Sequence, residues 1–144
     1  MKMIEISQNQ RLNLLRISIG IIYLWFGALK FFPNLSPAES IATETVDCLT
    51  LHILPKNWGC FILAFCEILI GFLLIFNFYI KQTIVFAIIH MIFTFTPLFV
   101  FSDLSFTKPP YAFTLLGQYI LKNIIIMAAL LVIYPDPKEK ELLV

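Results

Sequence analysis

Residues 58–101 read WGCFILAFCEILIGFLLIFNF, then YIKQ, then TIVFAIIHMIFTFTPLFVF. Each long run is apolar throughout except for a few small or polar residues, with one carboxylate, Glu67, in the first and one imidazole, His90, in the second. A helix needs about 20 apolar residues to cross the hydrocarbon core of a bilayer, and both runs are of that length. Only Tyr79-Ile80-Lys81-Gln82 separates them. Two spans joined so tightly must return on each other as an antiparallel hairpin.

The rest of the chain repeats the pattern. Further apolar segments run over residues 12–32 and 113–134, so the sequence predicts an all-α, polytopic membrane protein with four transmembrane helices: 12–32, 58–78, 83–101 and 113–134. The 144 residues make one domain, 60% hydrophobic, with fifteen Phe and a mean hydropathy of +0.89. That is well above the roughly half-apolar composition of soluble domains. The first segment lacks a small-residue cleavage site and ends in Lys30-Phe31-Phe32-Pro33, which predicts a helix kept in the mature protein. Ten basic and nine acidic side chains give a net charge of +1, so no basic field points to nucleic acid. The three Cys, at 48, 60 and 66, form no C-x-x-C pair and no zinc-type set with His, which supports neither a metal site nor a dithiol centre. Cys60 and Cys66 fall too far apart around a helix to pair, and read as apolar filler.

Two connections are longer. Ser36-Pro37-Ala38-Glu39 has an N-cap Ser, Pro at the first helical position and Glu at the third, followed by Ile41, Ala42, Val46 and Leu49 at helical spacing. This predicts a short amphipathic helix on the membrane surface. Residues 102–112 contain Lys108-Pro109-Pro110-Tyr111, which predicts an extended stretch before the last span. Lys2, Arg11, Arg16, Lys81, Lys138 and Lys140 fall on one side of the membrane and Lys30, Lys56 and Lys108 on the other. The positive-inside rule then places both termini in the cytoplasm.

Ionisable side chains at mid-bilayer cost roughly 2.5–3.5 kcal/mol on insertion scales, so each one needs a reason. Glu67, His90 and Lys122 all lie about 8–11 residues from the outer ends of their segments, or roughly 12–16 Å at about 1.5 Å per residue, and could meet in one layer. Their helical faces agree. Glu67 shares a stripe with Cys60, Ala64 and Gly71; His90 with Thr83, Ala87, Thr94 and Pro97; Lys122 with Thr114, Gln118 and Ala129. The first helix shows Arg16, Gly20, Tyr23, Gly27 and Lys30 in the same rhythm. Stripes of small and polar residues are how membrane helices approach and bond one another.

Each candidate has a bland reading beside a sharp one. Glu67 and Lys122 form either a structural ion pair that fixes helix register or a proton or ligand site. His90 is either a neutral imidazole bonded to a Thr or a backbone carbonyl, or a proton relay or hydrogen-bond donor to a quinone head group. Gln118 and Asn123, flanking Lys122, are accounted for by bonds between helices. Arg16 and Lys30, near the ends of the first segment, read as anchors that snorkel to the head groups, although their place on the stripe argues against that. Trp25, Trp58, Tyr79, Tyr111 and Tyr134 suit an interfacial belt, Trp25 being the deepest, and His52 is an isolated loop histidine.

The run Leu15-Arg16-Ile17-Ser18-Ile19-Gly20-Ile21-Ile22-Tyr23-Leu24-Trp25-Phe26-Gly27-Ala28-Leu29-Lys30-Phe31-Phe32-Pro33, with Leu35-Ser36-Pro37-Ala38-Glu39 after it, resembles the opening of DoxX-family membrane proteins. Glu67-Ile68-Leu69-Ile70-Gly71 is similar to that family's second-helix motif, and Gly117-Gln118-Tyr119-Ile120-Leu121-Lys122-Asn123 to its last-helix motif. A related group that includes an inner-membrane protein of reactive-chlorine defence shares the Trp-x-Gly-x-x-Lys-Phe element, here Trp25 to Phe31. The resemblance implies a four-helix protein of the bacterial inner membrane. It associates the chain with the small membrane subunit of a thiosulfate:quinone oxidoreductase and with oxidative-stress complexes, making an oxidoreductase partner and a quinone the expected associates. The sequence itself offers no haem ligand pair, flavin fingerprint or thiol couple, so any redox chemistry is expected to reside in the partner. Two other functions fit the same polar layer: a small-solute or proton-coupled transporter acting as a homo-oligomer, and a structural membrane protein.

Overall fold

A computed structural model of the chain describes residues 7–32, 39–53 and 55–135. Among the described residues four helical spans are long and apolar enough to cross a membrane: Gln8–Leu29, Trp58–Phe76, Ile80–Val100 and Leu115–Val132. The first is α1 (Gln8–Leu29) and begins four residues before its apolar run. Ser7 and Gln10 form a reciprocal capping box there and satisfy backbone N–H groups that a helix start leaves open. A short helix, α2 (Glu39–Leu49), follows and buries Ile41 and Thr45, as its amphipathic spacing predicts. The predicted cap at Ser36 lies outside the described residues, as do Lys2, Lys138 and Lys140 of the orientation argument.

The hairpin is formed by α3 (Lys56–Phe76) and α4 (Ile80–Thr94). Its turn is tighter than the sequence suggests. Asn77 and Tyr79 both take left-handed backbone conformations, and the Thr83 hydroxyl donates to the Phe78 carbonyl at 3.0 Å. Asn tolerates that conformation better than most residues, so it can end a helix where Gly would otherwise stand. Pro97, which has no N–H to donate, divides the third span into α4 and the single turn α5 (Thr96–Val100).

Residues 102–113 are more ordered than the extended stretch that the prolines predict. A helical turn, α6 (Ser102–Ser105), leads into the antiparallel pair β1 (Phe106–Lys108) and β2 (Ala112–Phe113), whose turn carries a cis Pro109–Pro110 bond. Thr114 then fixes the last span twice over. Its hydroxyl donates to the Leu104 carbonyl at 2.7 Å and accepts from the Gly117 N–H at 3.1 Å, capping α7 (Leu115–Leu121). At Lys122 the chain passes into α8 (Asn123–Val132).

The bundle is held from inside by close backbone contact. Gly20 and Gly71 meet face to face: a methyl group added to Gly71 would stand 2.7 Å from the Gly20 carbonyl oxygen and 2.7 Å from the Leu24 nitrogen. A side chain at Gly27 would sit 3.0 Å from Glu67 Cβ. Three glycines therefore let α1 lie directly on α3. Around this seam Ile19, Tyr23, Ile70, Leu74, Ile84, Ala87, Met91 and Leu130 form the core. The outside is apolar too, with Phe99 at 82% and Ile125 at 73% exposure, the reverse of a soluble surface and the one expected where lipid is the solvent.

Replacing Gly71 with Ala should lower stability by about 1–3 kcal/mol, because neither backbone can give way. Phe99→Ala, on the lipid-facing side, should stay within about 0.5 kcal/mol, and unfolding of the two variants in detergent measures the difference.

Candidate functional site

The polar cluster is built on the α1–α3 seam. Lys30 caps the C-terminal end of α1, and because helical side chains lean toward the N-terminus its chain runs back into the bundle rather than out to the head groups. Its ammonium lies 2.5 Å from Glu67 Oε2 and 3.4 Å from the Phe26 carbonyl, one turn back. The side chains of Lys30 and Glu67 are 7% and 9% exposed. The pair is therefore buried, and Gly27 makes it possible by removing the side chain that would separate α1 from Glu67.

This corrects two expectations. Glu67 pairs with Lys30 and not with Lys122, and Lys30 is an interior cation, not a snorkelling anchor. Arg16 is also engaged within the protein: its guanidinium donates to the Leu74 and Ile75 carbonyls at the end of α3 and to Asn13 Oδ1 at 3.3 Å. The Leu74 carbonyl also accepts from the Asn77 N–H at 3.3 Å, so Arg16 adds a second cap to this helix end, supplied by the neighbouring helix.

His90 completes the cluster from α4. Its Nδ1 lies 3.5 Å from the Tyr23 hydroxyl, whose one proton can go to Nδ1 or to the Ala87 carbonyl 3.2 Å away. The imidazole is thus positioned by Tyr23, where the sequence suggested a Thr or a backbone carbonyl. On the other side, Nε2 stands 3.6 Å from Glu67 Oε1, beyond hydrogen-bond distance, and is the one fully buried side-chain nitrogen or oxygen among the described residues without a hydrogen-bond partner. A lone pair facing a carboxylate oxygen is repelled, so the tautomer with the proton on Nε2, Nδ1 then accepting from the Tyr23 hydroxyl, suits this geometry.

The last span contributes less than its spacing suggests. Asn123 is buried and donates to the Thr94 hydroxyl at 3.1 Å, a bond between helices as expected. Gln118 is exposed and reaches only the Phe113 carbonyl at 3.4 Å, outside the cluster. Lys122 holds its ammonium 4.0 Å from the centre of the Tyr119 ring and 5.2 Å from that of Phe26. Sequence reasoning missed both rings as partners of Lys122, although Tyr119 lies three residues before it on the same face. Of the remaining residues, the loop residue His52 pairs with Asp47 of α2 at 2.8 Å, and the three cysteines are free and only partly buried.

Two cavities flank the cluster and share Lys30, Glu67, His90 and Thr94 as walls. One, of about 120 Å³, lies against α2 and is lined there by Ile41, Thr45 and Leu49. The other, of about 280 Å³, opens between the first and last spans past Ile22, Phe26, Tyr119, Lys122 and Ile125. Both are mainly apolar with a few convergent polar groups, the usual make-up of a small-molecule site.

A family model described as DoxX matches residues 12–102, more than half of the chain. The chain belongs to the DoxX family. With its four apolar spans, this makes it a multi-pass membrane protein. The DoxX match takes in Tyr23, Lys30, Glu67 and His90, whereas Tyr119, Lys122 and Asn123 lie beyond it. No curated protein and no solved structure matches the chain.

The pairing is testable by double-mutant cycle. Lys30→Met should cost about 3–5 kcal/mol by stranding a buried carboxylate, and adding Glu67→Met should recover most of that. Lys122→Met should cost no more than about 1 kcal/mol and be additive with Glu67→Gln, as read from unfolding in detergent.

Proposed function

We propose that this DoxX-family protein is a non-catalytic membrane subunit or anchor of a redox system, whose interior cluster holds the polar head of a lipophilic small molecule. The observation that carries the reading is His90 Nε2, buried and without a partner at the wall of two largely apolar cavities. A buried donor left open costs free energy, and a ligand acceptor removes that cost. Quinone is the first candidate, from the family resemblance and from the fit of the residues: a quinone carbonyl accepts hydrogen bonds, and His90 Nε2 and the Lys30 ammonium can supply them. Bound there, it would bring two-electron, two-proton chemistry to an oxidoreductase partner. Tyr23 orients the imidazole, Glu67 fixes the Lys30 ammonium, and Phe26, Met91 and Ile126 keep water from the head group. The family resemblance implies the bacterial inner membrane as the setting, and the positive-inside argument puts both termini in the cytoplasm.

A second reading has one observation in its favour. Because the same residues wall a cavity against α2 and another open toward the lipid, the cluster divides two spaces, as the midpoint of a small-solute path in a homo-oligomeric transporter would.

Gentle extraction followed by mass spectrometry of bound proteins and lipophiles tests the choice. The first reading predicts a co-purifying oxidoreductase or quinone whose retention falls at least about tenfold in His90→Ala, a loss expected of one hydrogen bond to a charged or buried group. A preparation carrying neither, with solute uptake into proteoliposomes abolished by Glu67→Gln, would favour the transporter.

A further inference from the structure

The larger cavity is electrically unbalanced. Its walls carry two ammonium groups, Lys30 and Lys122, and one carboxylate, Glu67, which is engaged with Lys30 at 2.5 Å. Lys122 has only the faces of Phe26 and Tyr119 as partners, and no carboxylate lies within ion-pair distance of it among the described residues. Aromatic faces attract a cation without neutralising it. Lys122 is exposed at the rim of the cavity, and its unit of positive charge has no carboxylate partner among the described residues in a membrane span, where charges ordinarily pair.

The hydrogen-bonding groups lean the same way. Besides the Lys122 ammonium, the Tyr119 hydroxyl makes no hydrogen bond among the described residues, and His90 Nε2 is open. All three belong to side chains that line this one cavity, and each can donate. A neutral quinone would satisfy His90 but leave Lys122 without a counter-ion.

We propose that the cavity between the first and last spans is a site for an anionic lipophile: a head group of acceptor oxygens bearing a single negative charge, on one hydrocarbon chain, as in an ionised long-chain carboxylic acid. The inference rests on the head-group reading above and narrows it from neutral to anionic heads. One negative charge brings the cavity to neutrality, whereas a dianion would overshoot. The opening past Ile22, Phe26, Ile125 and Ile126 is apolar, so a hydrocarbon chain can lie in it and continue into the lipid. Lys122 and Tyr119 hold the carboxylate at the mouth, with His90 Nε2 at the inner end of the same space.

The test uses the full chain in a non-ionic detergent with three probes: palmitate, its methyl ester, and a neutral decyl-substituted benzoquinone, read by native mass spectrometry. Palmitate should bind saturably and at least about tenfold tighter than the ester, since only the carboxylate brings a counter-charge to the ammonium. Lys122→Met should remove about that tenfold preference while Lys122→Arg keeps it, and Tyr119→Phe should weaken palmitate several-fold without altering the ester. Unfolding curves for each variant show whether a loss of binding is a loss of fold, and Tyr119→Phe, which deletes one oxygen, serves if Lys122→Met is unstable. Equal binding of acid and ester, or palmitate binding indifferent to both substitutions, overturns the proposal. Benzoquinone binding without palmitate binding overturns it but leaves the head-group reading standing, and binding of neither removes both.

Discussion

The interior polar cluster of this bundle is arranged around the buried contact between Lys30 and Glu67. Two opposite charges at 2.5 Å, each almost wholly withdrawn from the surface, are tolerable in an apolar interior only as a pair. Meeting demands that α1 and α3 approach as closely as backbones allow, and Gly20, Gly27 and Gly71 provide that approach. Arg16 ties the opposite end of the same seam by taking the final carbonyls of α3. The ion pair, the glycine contacts and the arginine cap are thus one device that sets the register of two helices. His90 and Tyr23 are placed relative to it.

The same device creates the opening in the structure. Because Glu67 turns Oε2 to Lys30, Oε1 is left facing His90 across 3.6 Å, too far to bond, and His90 Nε2 remains open between two cavities. A cluster built only to fix register would be expected to close its own hydrogen bonds, since a buried polar network left partly unsatisfied costs more than an apolar core. The open nitrogen, the unneutralised Lys122 and the apolar walls between them are together what a ligand with a polar head and a hydrocarbon tail would complete.

Much of this was legible in the sequence. Length and apolar runs determine the four spans, and the helical stripes placed Tyr23, Lys30, Glu67, His90 and Thr94 on inward faces, where the structure has them. Pairing was not legible. Spacing gives the depth and face of a residue but not which helix lies beside it, so the mid-depth Lys122 looked a better partner for Glu67 than Lys30 at a segment end. Counting Cα positions also hid the reach of Lys30, whose side chain leans back by about one turn, enough to change an interfacial residue into an interior one. The hairpin at residues 106–113 escaped for a different reason: prolines forbid helix but do not say what the extended chain will pair with.

The central claim is that the Lys30 ammonium is inside the bundle on Glu67, and magnetic resonance of the unsubstituted protein in lipid bilayers tests it, a variant serving only for assignment. With isotope-labelled lysine Nζ and glutamate carboxyl carbon, and the Lys30 signal assigned by its loss in Lys30→Arg, dipolar recoupling reports which atoms lie next to that nitrogen. The account predicts a strong coupling between Lys30 Nζ and the Glu67 carboxyl carbon and none to lipid phosphorus. Coupling to lipid phosphorus instead, with none to Glu67, would return Lys30 to the head groups and contradict the account.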